Sequence, residues 1–195
     1  LKQGILLAAG FSRRFGANKL LQPLLDGRPM ALTAAVNLRA AVPRVLAVVN
    51  SESPELMQSL AEYGIAVTVC PDAAAGLGAS LGWAVRASAR AEAWIIALAD
   101  MPFIEPTTIR RVAEAVSSPW DIAAPVFRGQ RGHPVGFGCA YFDSLARSAG
   151  DHGANAMLAA QGGKVQKITC DDPGVVMDID TREIFQKFCR ESAKD

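Results

Sequence analysis

Short apolar runs alternate with helix-period stretches through the first half of this chain. Gly4–Ala8 is apolar and stops at Gly10, Val45–Val49 ends at Asn50-Ser51, Ile65–Val69 follows Gly64, and Trp94–Ala99 has no polar position along its length. Between these strands, Pro29–Ala41, Pro54–Tyr63 and Ser80–Arg90 read as helices. Pro29 suits a first helical position and Gly64 suits the position just past a helix end. Strands without a wet face, separated by helices, predict a parallel sheet covered on both sides. Past Pro102 the rhythm loosens. A helix over Thr107–Val116, a strand over Ile122–Phe127, a loop over Arg128–Gly132, a helix over Ala154–Gln161, a strand over Val165–Thr169 and a last helix over Thr181–Arg190 complete the reading. The fold class is α/β, a three-layer α/β/α sandwich with right-handed crossovers and a mostly parallel central sheet.

Composition narrows the function classes. At 195 residues, with no linker, repeat or low-complexity tract, residues 1–195 are expected to form one domain. A 50% hydrophobic and 20% charged composition excludes wholesale disorder. The net charge of +1 argues against a nucleic-acid binder, which carries a basic excess. No apolar stretch approaches the ~20 residues of a membrane span, and the opening run is too short for a signal peptide. Cys70, Cys139, Cys170 and Cys189 are widely spaced, with only His133 and His152 beside them, which suits reduced thiols rather than a zinc site. A cytoplasmic enzyme or binding protein is the expectation, with Trp83, Trp94 and Trp120 as packing residues.

Ligands of open parallel sheets bind beyond the carboxyl ends of the strands, and four segments there carry suggestive residues. The first runs from Leu7 through Gly10 to Lys19. Small residues let backbone approach a ligand, successive N–H groups can cradle an anion, and Arg14 and Lys19 add two cations suited to a polyphosphate. A basic surface loop is the plainer alternative. Neither the P-loop nor the dinucleotide glycine pattern is present. Asp100 follows a wholly apolar strand and is stopped by Pro102, a position suited to Mg²⁺ or to capping the next segment. Gly76, Gly78 and Ser80 open a helix that offers either an anion contact or a simple serine N-cap. Asp178 and Asp180 alternate before the last helix, so both face one way in an extended chain. They could bind metal, or Asp180 and Thr181 could cap the helix.

Leu7-Ala8-Ala9-Gly10, Gly76 to Leu81, Ala99-Asp100-Met101-Pro102, Gly132-His133-Pro134-Val135 and Asp178-Ile179-Asp180-Thr181 stand in an order that resembles one family over nearly the whole chain. It is the molybdenum cofactor cytidylyltransferase group of the MobA-like NTP transferases, within the nucleotide-diphospho-sugar transferase-like superfamily. The resemblance implies a Rossmann-like α/β fold. It implies that Leu7, Ala8, Ala9 and Gly10 hold the nucleotide, that Arg14 and Lys19 bind its triphosphate, and that Asp100 carries Mg²⁺ with Asp180 as partner. Asn50 and Asp72 occupy places where related guanylyltransferases contact nucleotide, Gly78 and Ser80 lie in a nucleotide motif, and His133 falls in an acceptor motif. Guanylyl relatives have glycine where this chain has Ala9, whose Cβ would crowd a purine, so the resemblance favours CTP over GTP. The chain departs from the family at Asn155, where an arginine is common, and at Arg182, where a proline is common.

The implied reaction moves CMP from CTP to the terminal phosphate of molybdopterin or the molybdenum cofactor and releases pyrophosphate, with a molybdoenzyme as downstream client. Alternatives are GTP as donor, a sugar or alcohol phosphate as acceptor, or a non-catalytic cofactor-delivery protein. Intact Arg14, Lys19 and Asp100, the candidate catalytic groups, speak for the enzyme.

Overall fold

The computed structural model describes residues 1–11, 18–150, 153–181 and 183–185. Its centre is an eight-stranded sheet in the order β3-β2-β1-β4-β7-β5-β6, with β8 beside β5. Strands β1 (Lys2–Ala8), β2 (Val45–Val49), β3 (Ala66–Val69) and β4 (Ala93–Leu98) run parallel, as their unbroken apolar character predicts. β5 (Ile122–Phe127) and β8 (Val165–Thr169) form a further parallel pair. Between the two groups β7 (Val135–Gly138) runs antiparallel to both β4 and β5.

Alternate side chains of β1 and β4 enter different cores, which explains why neither strand has a polar face. Leu6, Ala8, Ile95 and Ala97 join α1 (Met30–Ala41), α2 (Pro54–Glu62) and α4 (Pro106–Ala115) on one side of the sheet. Ile5, Leu7, Trp94 and Ile96 join α3 (Leu77–Ala87), α5 (Phe142–Ala146) and α6 (Asn155–Ala160) on the other. The layered α/β/α expectation is the observed architecture. No helix among the described residues is long and apolar enough to cross a membrane.

Several local expectations are corrected. α3 begins at Leu77 rather than Ser80, because Gly76, at φ 109°, is the residue that turns the chain into the helix. Ser80 is therefore a buried helical residue, not an N-cap. The expected loop Arg128–Gly132 is a hairpin: Arg128 and Gly129 both take positive φ, and Gln130–Arg131 forms β6 against β5. Positive φ at both central residues is the turn that matches strand twist, and it usually carries Asn-Gly rather than Arg-Gly. Arg128 lies over the Phe127 ring, 5.1 Å from its centroid. Trp94 is wholly buried, whereas Trp120 is 71% exposed and meets Tyr141 edge-on. Of the expected last helix, Glu183–Phe185 are helical and the remainder lies outside the described residues.

The strand β7 escaped the hydrophobic pattern because glycine occupies two of its four positions. A Cβ at Gly138 would stand 2.3 Å from the Pro119 carbonyl oxygen, so the chain approaches too closely there for any side chain. Gly138→Ala is expected to cost about 1–3 kcal/mol, as overpacking against unyielding backbone does. Urea unfolding checks it; unchanged stability would show that the 117–121 loop yields freely.

Candidate active site

The carboxyl ends of β1, β2, β3 and β4 place Ala9, Asn50, Cys70 and Ala99 along one pole of the sheet. The β1 loop leaves this pole at Ala9 and Gly10 and returns at Asn18. Ala9 is buried, while Gly10 is exposed with open space about its Cα. Arg14 lies outside the described residues, as do Asp151 and His152.

Asn50 is almost fully buried and braces this loop. Its Nδ2 donates to the Ala9 carbonyl at 3.1 Å, and its Oδ1 accepts from Glu52 N–H at 2.9 Å and from Ser53 Oγ at 3.0 Å. Asn18 Nδ2 in turn donates to Ser53 Oγ at 3.3 Å. One polar chain, Asn50–Ser53–Asn18, therefore ties together the outgoing and returning ends of the loop. Buried polar groups are costly when unpaired, so this network fixes both ends at once. Ser53 and Asn18 were not singled out from the sequence; the three-residue spacing of Asn50 and Ser53 after a strand was the available signal.

Beyond Asn18 the chain makes a 3-10 turn, Lys19–Leu21, whose Leu20 N–H is capped by Asn18 Oδ1 at 3.3 Å and whose Leu20 side chain enters the core. This turn delivers Lys19. Its Nζ lies 2.9 Å from Asp100 Oδ2 and 2.8 Å from Asp180 Oδ1. Asp100 directly follows β4 and its preceding residue, Ala99, donates to the Leu7 carbonyl at 3.1 Å. Asp180 is brought in because Ile179 N–H donates to the Asp100 carbonyl at 3.0 Å while the Ile179 side chain is fully buried. The structure thus unites three residues singled out from sequence.

Electrostatics tie further groups to this centre. Burial alone would lower the Lys19 pKa, but the Asp100 charge and hydrogen bonds to both carboxylates outweigh it and raise the ammonium above its ordinary value. Burial, together with the Asp180 and Asp100 charges, raises the Asp178 carboxyl. His133, at the amino end of β7, is pushed down to about 4, chiefly by desolvation and also by Arg131, against the attraction of Asp100. It is therefore neutral at pH 7. One ammonium faces two carboxylates, with Asp178 beside Asp180. No group of three or more His, Cys, Asp or Glu among the described residues is arranged to hold a metal ion. The donor pair Asp100 and Asp180 nevertheless suits a Mg²⁺ that completes its shell with water and phosphate.

Other sequence candidates have different positions. Gly78 donates its N–H to the Gly150 carbonyl at 2.7 Å, and a Cβ there would lie 2.5 Å from the Ala149 carbonyl oxygen. Both features serve packing of α3 against the 149–150 segment. Asp72 is exposed beyond β3 and its side chain makes no cap hydrogen bond. Leu7 and Ala8 are buried in the strand itself.

Comparison with known proteins finds relatives over most of the chain. The profile of the MobA-like NTP transferase domain matches residues 4–165. The purine catabolism protein PucB of Bacillus subtilis (strain 168) is 32% identical over 197 residues, spanning 96% of this chain and 95% of that protein. A molybdenum cofactor guanylyltransferase of Rhodobacter capsulatus is 33% identical over 120 residues, 57% of each chain. The crystal structure of Rv0371c from Mycobacterium tuberculosis H37Rv matches with a TM-score of 0.80 at 27% identity, covering 97% of both chains. A second crystal structure holds Rv0371c in complex with manganese.

His133 carries a pH signature. The unfolded chain takes up its imidazole proton near 6.5, whereas the folded chain resists it until about 4. Between these values the unfolded state binds more protons, so stability falls as pH drops through the window. Denaturant midpoints of His133→Gln should lose that part of the pH dependence between pH 6.5 and 4. Parallel profiles for the two proteins would remove the assignment.

Proposed function

We propose, from the premise that this chain belongs to the MobA-like NTP transferase family, that it transfers CMP from CTP to the terminal phosphate of molybdopterin or its metal-loaded form. The observation that carries the reading is the convergence of Lys19, Asp100 and Asp180 beside the β1 loop, at the pole where an open α/β sheet receives its ligand. CTP, rather than GTP, rests on the resemblance at Ala9: guanylyl relatives carry glycine there, and the Cβ of alanine would narrow the space for a purine. The guanylyltransferase relative makes GTP the competing donor. The product would pass to a molybdoenzyme client.

In this reading the backbone of Ala8, Ala9 and Gly10 holds base and ribose, and the Asn50–Ser53–Asn18 chain keeps that backbone in place. Asp100 and Asp180 would hold Mg²⁺, in keeping with the manganese complex of the Rv0371c protein. When bound, the ion supplies Lewis-acid charge to phosphate oxygens. An oxygen of the acceptor phosphate attacks the α-phosphorus, the bond from that phosphorus to the bridging α–β oxygen breaks, and pyrophosphate leaves with the bonding pair. A phosphate monoester has its second pKa near ~6 and is mostly dianionic at neutral pH, so no general base is required. A neutral His133 fits this. Lys19 and Arg14 neutralise charge on the departing pyrophosphate, and catalysis reduces to positioning plus electrostatics.

Pyrophosphate release should require CTP, Mg²⁺ and molybdopterin together, with GTP a poorer donor. Asp100→Asn and Lys19→Ala should each lower turnover by about 10²-fold, the scale of one lost charge-stabilising contact. Circular dichroism of Asp100→Asn should stay unchanged. A preference for GTP would overturn the Ala9 argument, and near-normal turnover in Asp100→Asn would overturn the metal assignment.

A further inference from the structure

We infer that Lys19 itself holds the divalent-cation position until a nucleoside triphosphate draws it away, so that metal and nucleotide are taken up cooperatively and metal alone is resisted. The inference rests on reading Asp100 and Asp180 as the metal ligands, and extends it to the order in which the site fills.

The geometry is that of a site already occupied by a cation. A single ammonium nitrogen sits 2.9 Å from one carboxylate and 2.8 Å from the other, joining residues 81 and 161 positions away in the chain. Both ligands that a Mg²⁺ ion would use are turned toward the same charge. An ammonium and a divalent ion cannot share that point, because their repulsion adds to the loss of both ion pairs. A metal arriving alone must therefore expel Lys19. The Lys19 side chain is only 13% exposed, so an expelled ammonium that found no new partner would leave a half-buried charge uncompensated.

A triphosphate changes that balance. The lysine side chain is a compact charge on a flexible stem, and its backbone is fixed by the Asn18 cap and the buried Leu20. The ammonium can swing while its root stays still. With phosphate oxygens beside it, Lys19 exchanges two carboxylates for an anion of at least equal charge, and the vacated carboxylates receive the ion. The charge count asks for this exchange. One ammonium sits between two carboxylates, Asp100 and Asp180, so the pair keeps a residual negative charge that a divalent ion neutralises better than an ammonium does. Coupling of this kind is reciprocal: nucleotide raises metal affinity by the factor by which metal raises nucleotide affinity.

The test is Mn²⁺ binding, followed by electron paramagnetic resonance without nucleotide, in the wild-type chain, Lys19→Met, and the double variant Lys19→Met with Asp100→Asn. Lys19→Met should bind Mn²⁺ about tenfold more tightly than wild type, the factor that ~1.4 kcal/mol of removed competition yields. The double variant should lose this gain, and CTP should tighten Mn²⁺ binding in wild type far more than in Lys19→Met. Equal or weaker binding by Lys19→Met, still abolished by Asp100→Asn, would overturn the placeholder role and leave the metal ligands standing. Binding indifferent to Asp100→Asn would remove the ligand assignment and this inference with it. A second measurement needs no variant. In wild-type protein labelled at the lysine ε-carbon, the Lys19 resonance should move when Mg²⁺ reaches saturation. Saturation with that resonance unmoved would sink the proposal even if Lys19→Met failed to fold.

Discussion

Two carboxylates from distant parts of the chain, Asp100 and Asp180, meet beyond the end of β4, and the lysine that lies between them offsets their repulsion. Lys19 reaches Asp100 and Asp180 across 81 and 161 residues, so a single side chain joins the first loop, the end of the fourth strand and the segment that follows the eighth. Each of these segments also has an independent anchor. Leu20 enters the core behind Lys19, Ala99 bonds to the Leu7 carbonyl behind Asp100, and Ile179 is buried while bonded to the Asp100 carbonyl. The charged groups are therefore held by apolar burial and backbone hydrogen bonds, and their mutual attraction adjusts what packing has already brought near. This is the arrangement that preorganised electrostatics requires, since a site must hold its charges before the substrate arrives.

The scaffold achieves this with two cores rather than one. Every strand of the parallel group faces helices on both sides, so its backbone positions vary little, and the residue just past its last hydrogen bond becomes a defined point on the active pole. Asn50 turns one of these points into a brace. By accepting from Ser53 and donating to Ala9, it transfers the rigidity of β2 to the loop beyond β1. Sequence resemblance places Asn50 among residues contacting nucleotide; in the described structure its amide oxygen and nitrogen are already engaged within the protein.

Much of this was legible in the sequence, for identifiable reasons. The first four strands are apolar throughout, and a carboxylate at the end of such a run, as at Asp100, has only the pole of the sheet to occupy. Lys19 and Asp180 were recognisable by residue type, but their ion pairs with Asp100 were not, because spacing along the chain says nothing about contacts 81 or 161 residues apart. β7 was hidden by Gly136 and Gly138, which close packing demands and which strand propensity disfavours. Strand β6 was not marked because an arginine stands in a turn position that asparagine usually fills. Helix α3 was misread at its start because Ser80 has the chemistry of a cap, while Gly76 has the geometry of one. Trp120 shows the limit of composition arguments: just ahead of β5 its ring meets Tyr141 edge-on and still stays 71% exposed.

The direction of β7 explains how the second half of the chain contributes to a pole built by the first. In a parallel strand the residues nearest the ligand pole come after the strand; in an antiparallel strand they come before it. Because β7 runs against β4, its leading residues Gly132, His133 and Pro134 lie at the same end as Asp100, and the Asp100 charge acts on His133. The segment is anchored there by the His133 N–H, which donates to the Val175 carbonyl at 2.8 Å. The same region of chain then continues to Asp178 and Asp180. One reversed strand thus brings His133 to a pole that four parallel strands had already defined, next to the segment that carries Asp178 and Asp180. The pole also divides in sequence: Lys19 and Asp100 come from the first half of the chain, and His133, Asp178 and Asp180 from the second. Family departures at Asn155 and Arg182 fall in or just beyond that second portion. Changes there lie apart in sequence from the Lys19–Asp100 pair.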